Sequence, residues 1–393
     1  MLNNDPLTNV PLARQPSAPR TMGPPPPRPA ILLMGDTLAL GGTEGQFAEL
    51  ACRLDRSRWA VHVTCLRAEG PLRDKLDAAG IRAWSCGRGS LRSVGALRCL
   101  IKLVRYIRRE RVVLVHSFDF YSNVVGVLAA RLARAGAVIA SQRDLGNLRP
   151  PFQRRLHAGI LRLADRVLVN SEAVAERLRR HRALAGRIVV VPNGVDLARF
   201  SPAPAGSRRA GSITVGTLAN LRREKGLGDL VSAAALVRAE CPHARFVVWG
   251  EGAMRADLER QIRELGLDDA VELPGSTASP EVALRTLDIF VLPSLSEACS
   301  NGLLEAIATR LPVVATSVGG NGALVEDEVT GLLVPPGDPS ALAKAITRLI
   351  QAPDLATDLS TRGLDRLRSS LGIDRTVARI EALYGEVLAC ATA

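Results

Sequence analysis

The sequence predicts an α/β protein with two Rossmann-like domains that face each other across a cleft. Its 393 residues are enough for two domains that each bury a core of their own. Short apolar runs alternate with amphipathic stretches, as in parallel sheets with crossover helices. A linker-like stretch with two prolines and a glycine, residues 201–206, separates two series of such runs.

The first series predicts an N-terminal domain over residues 29–200. Its amphipathic stretches are long enough to connect parallel strands as helices. The predicted strands are residues 31–34, 61–66, 112–115, 137–140, 167–169 and 188–191, and the predicted helices are residues 45–54, 97–110, 124–135, 152–164 and 172–180.

The second series predicts a C-terminal domain over residues 201–372, followed by a last helix within residues 373–393. Before both domains, residues 1–28 contain a run of prolines and are predicted to be a disordered tail. The predicted strands of the second domain are residues 213–217, 245–249, 270–273, 289–292, 313–315 and 331–334.

Composition narrows the class of protein. Apolar residues make up 47% of the chain and charged residues 23%, which is ordinary for a soluble enzyme. No apolar stretch approaches the roughly 20 residues of a membrane span, and the N-terminus lacks the apolar core of a signal peptide. The seven scattered cysteines contain no Cys-x-x-Cys pair, so we predict neither a disulfide framework nor a zinc site. A cytoplasmic location fits these features best.

The charge is distributed unevenly. Residues 1–200 hold 32 Lys and Arg against 15 Asp and Glu, whereas residues 201–393 hold 19 against 24. A basic first half suits an anionic membrane surface or a phosphorylated acceptor, although solvated arginine-rich helices explain it equally well. Because the chain has no nucleic-acid recognition motif and only 3% aromatic residues, we do not expect it to bind nucleic acid.

Two loops after predicted strands contain candidate phosphate ligands. Gly41 and Gly42 lie where the first loop enters a helix, and the backbone N–H groups there can bind a phosphate or sugar oxygen. Arg222 and Lys225 follow the first strand of the second domain, where two cations can hold a diphosphate. The glycines match neither the Gly-x-Gly-x-x-Gly fingerprint nor a Walker loop, and a structural turn or a solvated basic loop remain alternatives.

The most informative segment is residues 293–308, which is predicted to be a strand end, a loop of small residues and a helix. Asn301 is the predicted N-cap, leaving the N–H groups of Gly302, Leu303 and Leu304 free to bind an anion. Glu305, one turn further on, can reach a diol. Glu297 in the preceding loop can bind sugar hydroxyls or stabilise positive charge on an anomeric carbon.

Several ordered motifs over about residues 30–390 together resemble the family-four retaining glycosyltransferases, whose two-domain architecture is called GT-B. They include the glycines at 41–42, the two glutamates separated by seven residues, and the cations at 222 and 225. The others are Val-Pro-Asn-Gly-Val-Asp at residues 191–196, Leu-Pro-Val-Val-Ala-Thr at 311–316, Val-Gly-Gly at 318–320 and Thr-Gly-Leu-Leu-Val at 330–334.

The resemblance implies a role for each matching residue. Arg222 and Lys225 would hold the donor diphosphate, Glu297 would contact the transferred sugar and Glu305 would hold the ribose hydroxyls. The backbone around Asn301 to Leu304, including Gly302 and Leu303, would complete the phosphate site. Gly41 and Gly42 would approach the donor from the opposing domain when the domains close, and the last helix would cross back to the first domain.

The chain departs from the family pattern at two places. Where relatives often have His-x-His, the chain has His116 followed by Phe118, so His116 is the candidate near the donor sugar and Asp119 is its rival. Where many relatives have Gly-Phe-Gly after the first glutamate, this chain has Ala-Cys-Ser. Cys299 in that loop is a candidate reactive thiol.

The predicted function is retaining transfer of a sugar from a nucleotide diphosphate sugar to an acceptor hydroxyl, in bacterial polysaccharide, lipopolysaccharide or glycolipid synthesis. The acceptor is predicted to be a sugar, a lipid-linked sugar or a polysaccharide, with the enzyme peripheral on the inner face of the plasma membrane. No Asp-x-Asp motif is present, so we expect no metal and no cofactor. The alternatives are a nucleotide-sugar epimerase of the same fold and a catalytically silent binding subunit.

Overall fold

The computed structural model describes residues 28–87, 94–147, 149–203 and 213–392. The predicted proline-rich tail lies outside these residues except for Arg28, and residues 204–206 of the predicted linker also lie outside them. The chain forms two parallel sheets, each covered on both faces by helices. The α/β class and the arrangement as two Rossmann-like units agree with the prediction from sequence.

The first sheet is parallel throughout its described strands. The strand order β3-β2-β1-β4-β5-β6-β7 places β1 and β4 side by side at the centre, where the connections change direction. The strands are β1 (Ala30–Thr37), β2 (Ala60–Arg67), β3 (Ala83–Ser85), β4 (Val112–Phe118), β5 (Ala137–Gln142), β6 (Arg166–Val169) and β7 (Ile188–Val190).

Helices on both faces bury this sheet. The β1 and β4 strands are almost entirely buried, which explains their near-continuous apolar sequence. A short 3-10 helix at Arg182–Arg187 precedes β7. The helices are α1 (Gly42–Arg53), α2 (Leu72–Ala78), α3 (Val94–Arg109), α4 (Asp119–Ala133), α5 (Pro151–Leu161) and α6 (Glu172–Arg179).

The second sheet repeats the pattern with the order β10-β9-β8-β11-β12-β13. Its central pair is β8 and β11, so the change of direction again lies between two strands whose loops open on the same edge. The strands are β8 (Ile213–Leu218), β9 (Ala244–Trp249), β10 (Val271–Gly275), β11 (Ile289–Leu292), β12 (Val313–Thr316) and β13 (Leu332–Val334).

The helices of the second half cover both faces of its sheet. A 3-10 turn at Arg223–Lys225 lies between β8 and the first of them. They are α7 (Leu227–Glu240), α8 (Arg255–Glu264), α9 (Pro280–Arg285), α10 (Asn301–Ala308), α11 (Asn321–Leu324), α12 (Pro339–Gln351) and α13 (Pro353–Ser370), and they are followed by α14 (Ile373–Thr392).

Helix α14 packs on the first sheet although it follows the second sheet in sequence. Ile373, Val377, Ile380 and Tyr384 are buried in the same core as α1, β1 and β2. The chain between the two halves is held to the start of this helix, because the N–H of Ile373 donates to the carbonyl of Val195 at 2.9 Å. The last helix therefore ties the two halves together.

One cysteine prediction is wrong. Cys86 after β3 and Cys99 in α3 are joined in a disulfide, with their Cα atoms 5.0 Å apart. This pair could not be predicted, because the two residues are separated by 13 positions and meet only when α3 folds back onto β3. The other five cysteines are free.

Candidate active site

A cleft of about 1300 Å³ lies between the two sheets and is lined by residues of both. Its walls are the loops at the carboxyl ends of the strands, which is where parallel α/β sheets bind ligands. The loop after β1 and the start of α4 form one wall. The loops after β8 and β11 form the other, so the cleft is built at both topological switch points.

Lys225 and Glu297 form an ion pair inside the cleft, with their side chains 23% and 11% exposed. Ser294 also donates from its hydroxyl to Glu297 at 3.4 Å. The sequence assigned the lysine to phosphate and the glutamate to sugar, and the structure places them in contact. The phosphate and sugar positions that the two residues were predicted to serve are therefore adjacent.

Glycines hold the two loops close to each other. Gly226 has φ +61°, and a Cβ there would lie 2.0 Å from the carbonyl oxygen of Pro293. Gly319 has φ +52°, and a Cβ there would lie 1.6 Å from the carbonyl oxygen of Glu297. Only glycine combines this left-handed backbone with so close an approach, so these positions fix where Lys225 and Glu297 stand.

Arg222 stands at the edge of the cleft with its side chain 64% exposed. Its nearest acidic partner is Glu224, at 4.0 Å. The backbone carbonyl of Glu224 accepts the N–H of Leu295 at 2.8 Å, which ties this loop to the loop after β11. Arg222 therefore projects from an anchored backbone and is free to contact a ligand.

The predicted cap of α10 is wrong by one residue. Ser300 is the N-cap, and its hydroxyl accepts the N–H of Leu303 at 3.3 Å, while its carbonyl accepts the N–H of Leu304. Leu303 is buried in the core and does not line the cleft, so its predicted role as a donor ligand is not supported. The serine was missed because Asn301 is an equally good cap by type. The N–H groups of Asn301 and Gly302 remain without a partner in the described residues.

Glu305 lines the cleft one turn into α10, and its carboxyl group makes no hydrogen bond or ion pair within the described residues. Burial raises the pKa of its carboxyl to about 8, and the nearby Arg199 opposes this shift only partly. Arg199 is already paired with Glu281 at 2.8 Å. A half-buried acid without a partner is suited to accept a ligand hydroxyl.

Asn301 connects the two halves of the molecule. Its Nδ2 donates to the carbonyl of Gly42 at 2.9 Å, and its Oδ1 accepts Nδ2 of Asn193 at 2.6 Å. Gln46 of α1 donates to the carbonyl of Gly194 at 2.7 Å. These contacts place Gly42 against the start of α10, and Gly41 also lines the cleft.

Asp36, Glu44 and Asp119 are among the carboxyl groups that line the N-terminal wall. Asp36 accepts the N–H of Ser122 at 2.7 Å, and its pKa is raised to about 7 mainly by burial and further by the charge of Asp119. Burial also raises the pKa of Glu44. Neither Asp36 nor Glu44 was assigned a role from the sequence, because an acidic residue beside a glycine-rich loop carries no specific signal.

His116 does not reach the cleft. It is fully buried in β4, where Nδ1 is hydrogen-bonded to the Tyr384 hydroxyl at 2.6 Å and Nε2 to the Ser141 hydroxyl at 2.8 Å. Burial lowers its pKa to about 3, with a further contribution from Arg143. The sequence predicted His116 just after the strand, whereas β4 continues to Phe118 and α14 covers the histidine. Its expected contact with the donor sugar is therefore not supported.

Asp119, the rival of His116, does line the cleft. It begins α4 with φ +66° and accepts Nη2 of Arg149 at 2.9 Å. A non-glycine residue with a left-handed backbone is uncommon and concentrates at functional sites. Between the two candidates, the geometry favours Asp119.

Cys299 is a poor candidate for a reactive thiol. Burial raises its pKa to about 11, so the thiol is protonated near neutral pH. Its backbone carbonyl accepts Nδ2 of Asn193 at 3.2 Å. In the part of the chain that the structure describes, no group of three or more His, Cys, Asp or Glu side chains is arranged to hold a metal ion.

The sequence matches two family descriptions that together cover both halves. Residues 40–199 match "Glycosyltransferase Family 4" and residues 212–352 match "Glycosyl transferases group 1". A D-inositol 3-phosphate glycosyltransferase of Pseudarthrobacter chlorophenolicus is 33% identical over 312 residues, which are 72% of this chain and 74% of the relative. A putative colanic acid biosynthesis glycosyltransferase of Escherichia coli, WcaL, is 31% identical over 277 residues, 65% of this chain and 66% of the relative.

Solved structures agree on the fold. HepE of Anabaena in complex with UDP-glucose superimposes with a TM-score of 0.81 at 22% identity, covering 91% of this chain and 99% of HepE. Sucrose-phosphate synthase of Thermosynechococcus elongatus superimposes with a TM-score of 0.77 at 24% identity, covering 92% of this chain and 100% of the synthase. The chain is a glycosyltransferase with the GT-B fold. It belongs to the group 1 glycosyltransferases of family 4. No helix among its described residues is long and apolar enough to span a membrane.

Proposed function

We propose that the chain is a retaining glycosyltransferase that moves a sugar from a nucleotide diphosphate sugar to an acceptor hydroxyl. The observation that carries the proposal is the meeting of Arg222, Lys225, Glu297 and Glu305 in one cleft between the two sheets. The complexes of HepE with UDP and with UDP-glucose support a nucleotide-sugar donor. The names of the relatives support an acceptor in polysaccharide or glycolipid synthesis.

Each of these residues has a role in donor binding. Arg222 and Lys225 offset the charge of the diphosphate, and the free N–H groups of Asn301 and Gly302 bind one of its oxygens. Glu305 accepts the ribose hydroxyls. Because Lys225 contacts Glu297, a diphosphate on the lysine places the attached sugar beside the glutamate.

The transfer breaks the bond between the anomeric carbon and the leaving phosphate oxygen. A bond to the acceptor oxygen forms on the same face, and the acceptor proton passes to the leaving phosphate. Glu297 stabilises the positive charge that develops on the anomeric carbon, while the two cations stabilise the leaving diphosphate. Since these cations supply the charge, we expect turnover to persist when EDTA is present.

The experiment is a screen of UDP, GDP, ADP and dTDP sugars against wild-type protein, followed by NMR of the product. Transfer with the same anomeric configuration as the donor supports the proposal, and inversion contradicts it. A donor whose sugar is epimerised without transfer indicates the epimerase alternative. A donor that binds but is neither transferred nor hydrolysed indicates the silent subunit.

We further propose that the enzyme reaches its acceptor on an anionic membrane surface. Helix α3 supports this, because Val94, Leu97 and Ile101 are 68%, 57% and 42% exposed at successive turns of one helix. The same helix contains five Lys and Arg residues and no acidic residue. An exposed apolar stripe flanked by cations is typical of helices that lie in a lipid interface.

Pelleting with vesicles tests this partner. Wild-type protein should pellet with phosphatidylglycerol vesicles at low salt and remain in solution with phosphatidylcholine vesicles. Leu97→Ser with Ile101→Ser should abolish pelleting, whereas the control Leu236→Ser, on the equally exposed surface of α7, should not. Equal pelleting of all three proteins would contradict membrane docking through helix α3. It would not affect the transferase proposal.

A further inference from the structure

Arg143 is a buried arginine at the floor of the cleft. It follows β5, lines the cavity and is only 8% exposed. Its guanidinium donates from Nη2 to Oδ1 of Asn193, while the buried Nε has no acceptor within the described residues. None of the ion pairs in the described chain includes Arg143. Burying a guanidinium without a carboxylate is costly, so its unused donors mark a place where a ligand would be stabilising.

Asn170 supplies the complementary atom beside it. It follows β6, is 2% exposed and also lines the cavity. Its Nδ2 donates to the backbone carbonyl of Arg143 at 3.2 Å, and its Oδ1 has no donor. A buried acceptor without a donor is rare in folded proteins. The two residues therefore present unused donors and an unused acceptor at one place.

The surroundings compensate the charge of Arg143 only in part, through the ring of Phe118 and the charge of Asp119. The guanidinium lies 5.7 Å from the ring centre of Phe118. Asp119 and Asp144 also line this part of the cleft, but both are paired with Arg149 at 2.9 Å. The loop that contains Cys299 lies on the opposite wall. It faces Arg143 and is next to the predicted position of the transferred sugar.

We propose that Arg143 and Asn170 form a subsite for an oxyanion, a carboxylate or a phosphate, carried by one of the two sugars that meet in the cleft. This inference rests on the proposed function, because it takes the cleft as the place where donor and acceptor meet. The planar guanidinium binds either oxyanion with two parallel hydrogen bonds. Asn170 accepts a hydroxyl that neighbours the oxyanion on the same sugar ring.

Calorimetric binding to the full chain tests the subsite with two pairs of ligands. The nucleotide is first chosen as the tightest of UDP, GDP, ADP and dTDP. The donor pair is the glucose and the glucuronate conjugate of that nucleotide, and the acceptor pair, added with the nucleoside diphosphate, is inositol and D-inositol 3-phosphate. The variants are Arg143→Gln and, as a matched control on the same loop, Arg149→Gln.

Wild type should bind the anionic member of one pair at least about tenfold more tightly than the neutral member, as a charge-assisted hydrogen bond implies. Arg143→Gln should abolish that preference without weakening nucleoside diphosphate binding, and Arg149→Gln should retain it. The pair that shows the preference identifies whether the donor or the acceptor carries the oxyanion.

The absence of a preference in both pairs, or its persistence in Arg143→Gln, would overturn the subsite. Either result is distinguishable from failure of the proposed function, because the nucleoside diphosphate and the neutral donor bind without Arg143. A wild-type chain that bound none of the four nucleotides would contradict the donor site and the subsite together.

Discussion

Lys225 and Glu297 form an ion pair across the two loops that meet in the cleft, and Gly226 and Gly319 keep the loop backbones in place. The pair holds the lysine at the position where a diphosphate would arrive. It also holds the glutamate where the sugar attached to that diphosphate would lie. Binding and turnover should therefore respond differently to changes at the two residues.

Gly319→Ala should damage the site more than strain alone would. A Cβ at Gly319 meets the carbonyl of Glu297, whereas Gly337 has φ +72° and open space around its Cβ position. Gly337→Ala should therefore cost about 1–2 kcal/mol of stability from the left-handed backbone and leave kcat/KM unchanged. Gly319→Ala should lower the melting temperature further and reduce kcat/KM at least tenfold. Equal kinetics for the two variants would show that Gly319 does not position Glu297.

Asn301→Ala should favour an open arrangement of the two halves. The variant removes the hydrogen bonds of Asn301 to Gly42 and Asn193, each worth about 0.5–1.5 kcal/mol. We expect KM for the donor to rise about three- to tenfold and the radius of gyration from small-angle scattering to increase. An unchanged scattering profile with a raised KM would instead indicate direct contact between Asn301 and the donor.

His116 should matter for stability rather than for turnover. His116→Phe leaves the hydroxyls of Tyr384 and Ser141 without a partner in the core, which costs about 1–3 kcal/mol for each unsatisfied group. The melting temperature should fall by several degrees, while kcat measured well below it stays within about twofold of wild type. A hundredfold loss of kcat in a protein that remains folded would restore the catalytic assignment.

The pKa of His116 also makes stability depend on pH. Its folded pKa of about 3 lies below the unfolded value of 6.5, so the unfolded chain binds more protons between these limits. The stabilisation is complete above pH 6.5 and is lost as the pH falls toward 3. The melting temperature of wild type should drop between pH 6.5 and 5, and His116→Phe should show a shallower drop. Parallel slopes would contradict the buried neutral imidazole.

Glu305 should make stability depend on pH in the opposite direction. Its folded pKa of about 8 exceeds the unfolded value of 4.5, so stability falls as the pH rises between these limits. Glu305→Gln should raise the melting temperature at pH 9 by at least roughly 2 °C relative to wild type and leave it nearly unchanged at pH 4.5. The same variant should weaken nucleotide binding above pH 8, where the wild-type carboxylate is ionised and is a better acceptor for ribose hydroxyls than an amide. A lower melting temperature at pH 9 would indicate a structural partner for the carboxylate.

Local patterns in the sequence predicted most of the fold. Buried strands such as β1 and β11 are short continuous apolar runs, so their positions follow from the residues alone. Strand β3 was missed because Ala83–Ser85, unlike the equally short β7 and β13, is not a continuous run of branched apolar residues. The disulfide between Cys86 and Cys99 was missed for the same reason, because Cys86 directly follows β3.

The candidate site was predictable where its residues are close in sequence. Glu297 lies in the loop before α10 and Glu305 lies one turn into that helix, so local structure is enough to place both in the same cleft. The Asn193 to Asn301 contact and the burial of His116 by Tyr384 depend on segments more than 100 residues apart. Arg143 gave no signal, because an isolated arginine after a strand is usually solvated and only the packed cleft shows that it is buried.

Donor binding and turnover in matched variants test the central claim most directly. Lys225→Ala, Glu297→Gln and the exposed control Lys344→Ala should be compared with wild type, using the donor found in the screen. We predict that Lys225→Ala weakens donor binding at least tenfold, that Glu297→Gln binds the donor but loses most of kcat, and that Lys344→Ala matches wild type. If Lys225→Ala binds normally and Glu297→Gln turns over normally, the cleft described here is not the site of glycosyl transfer.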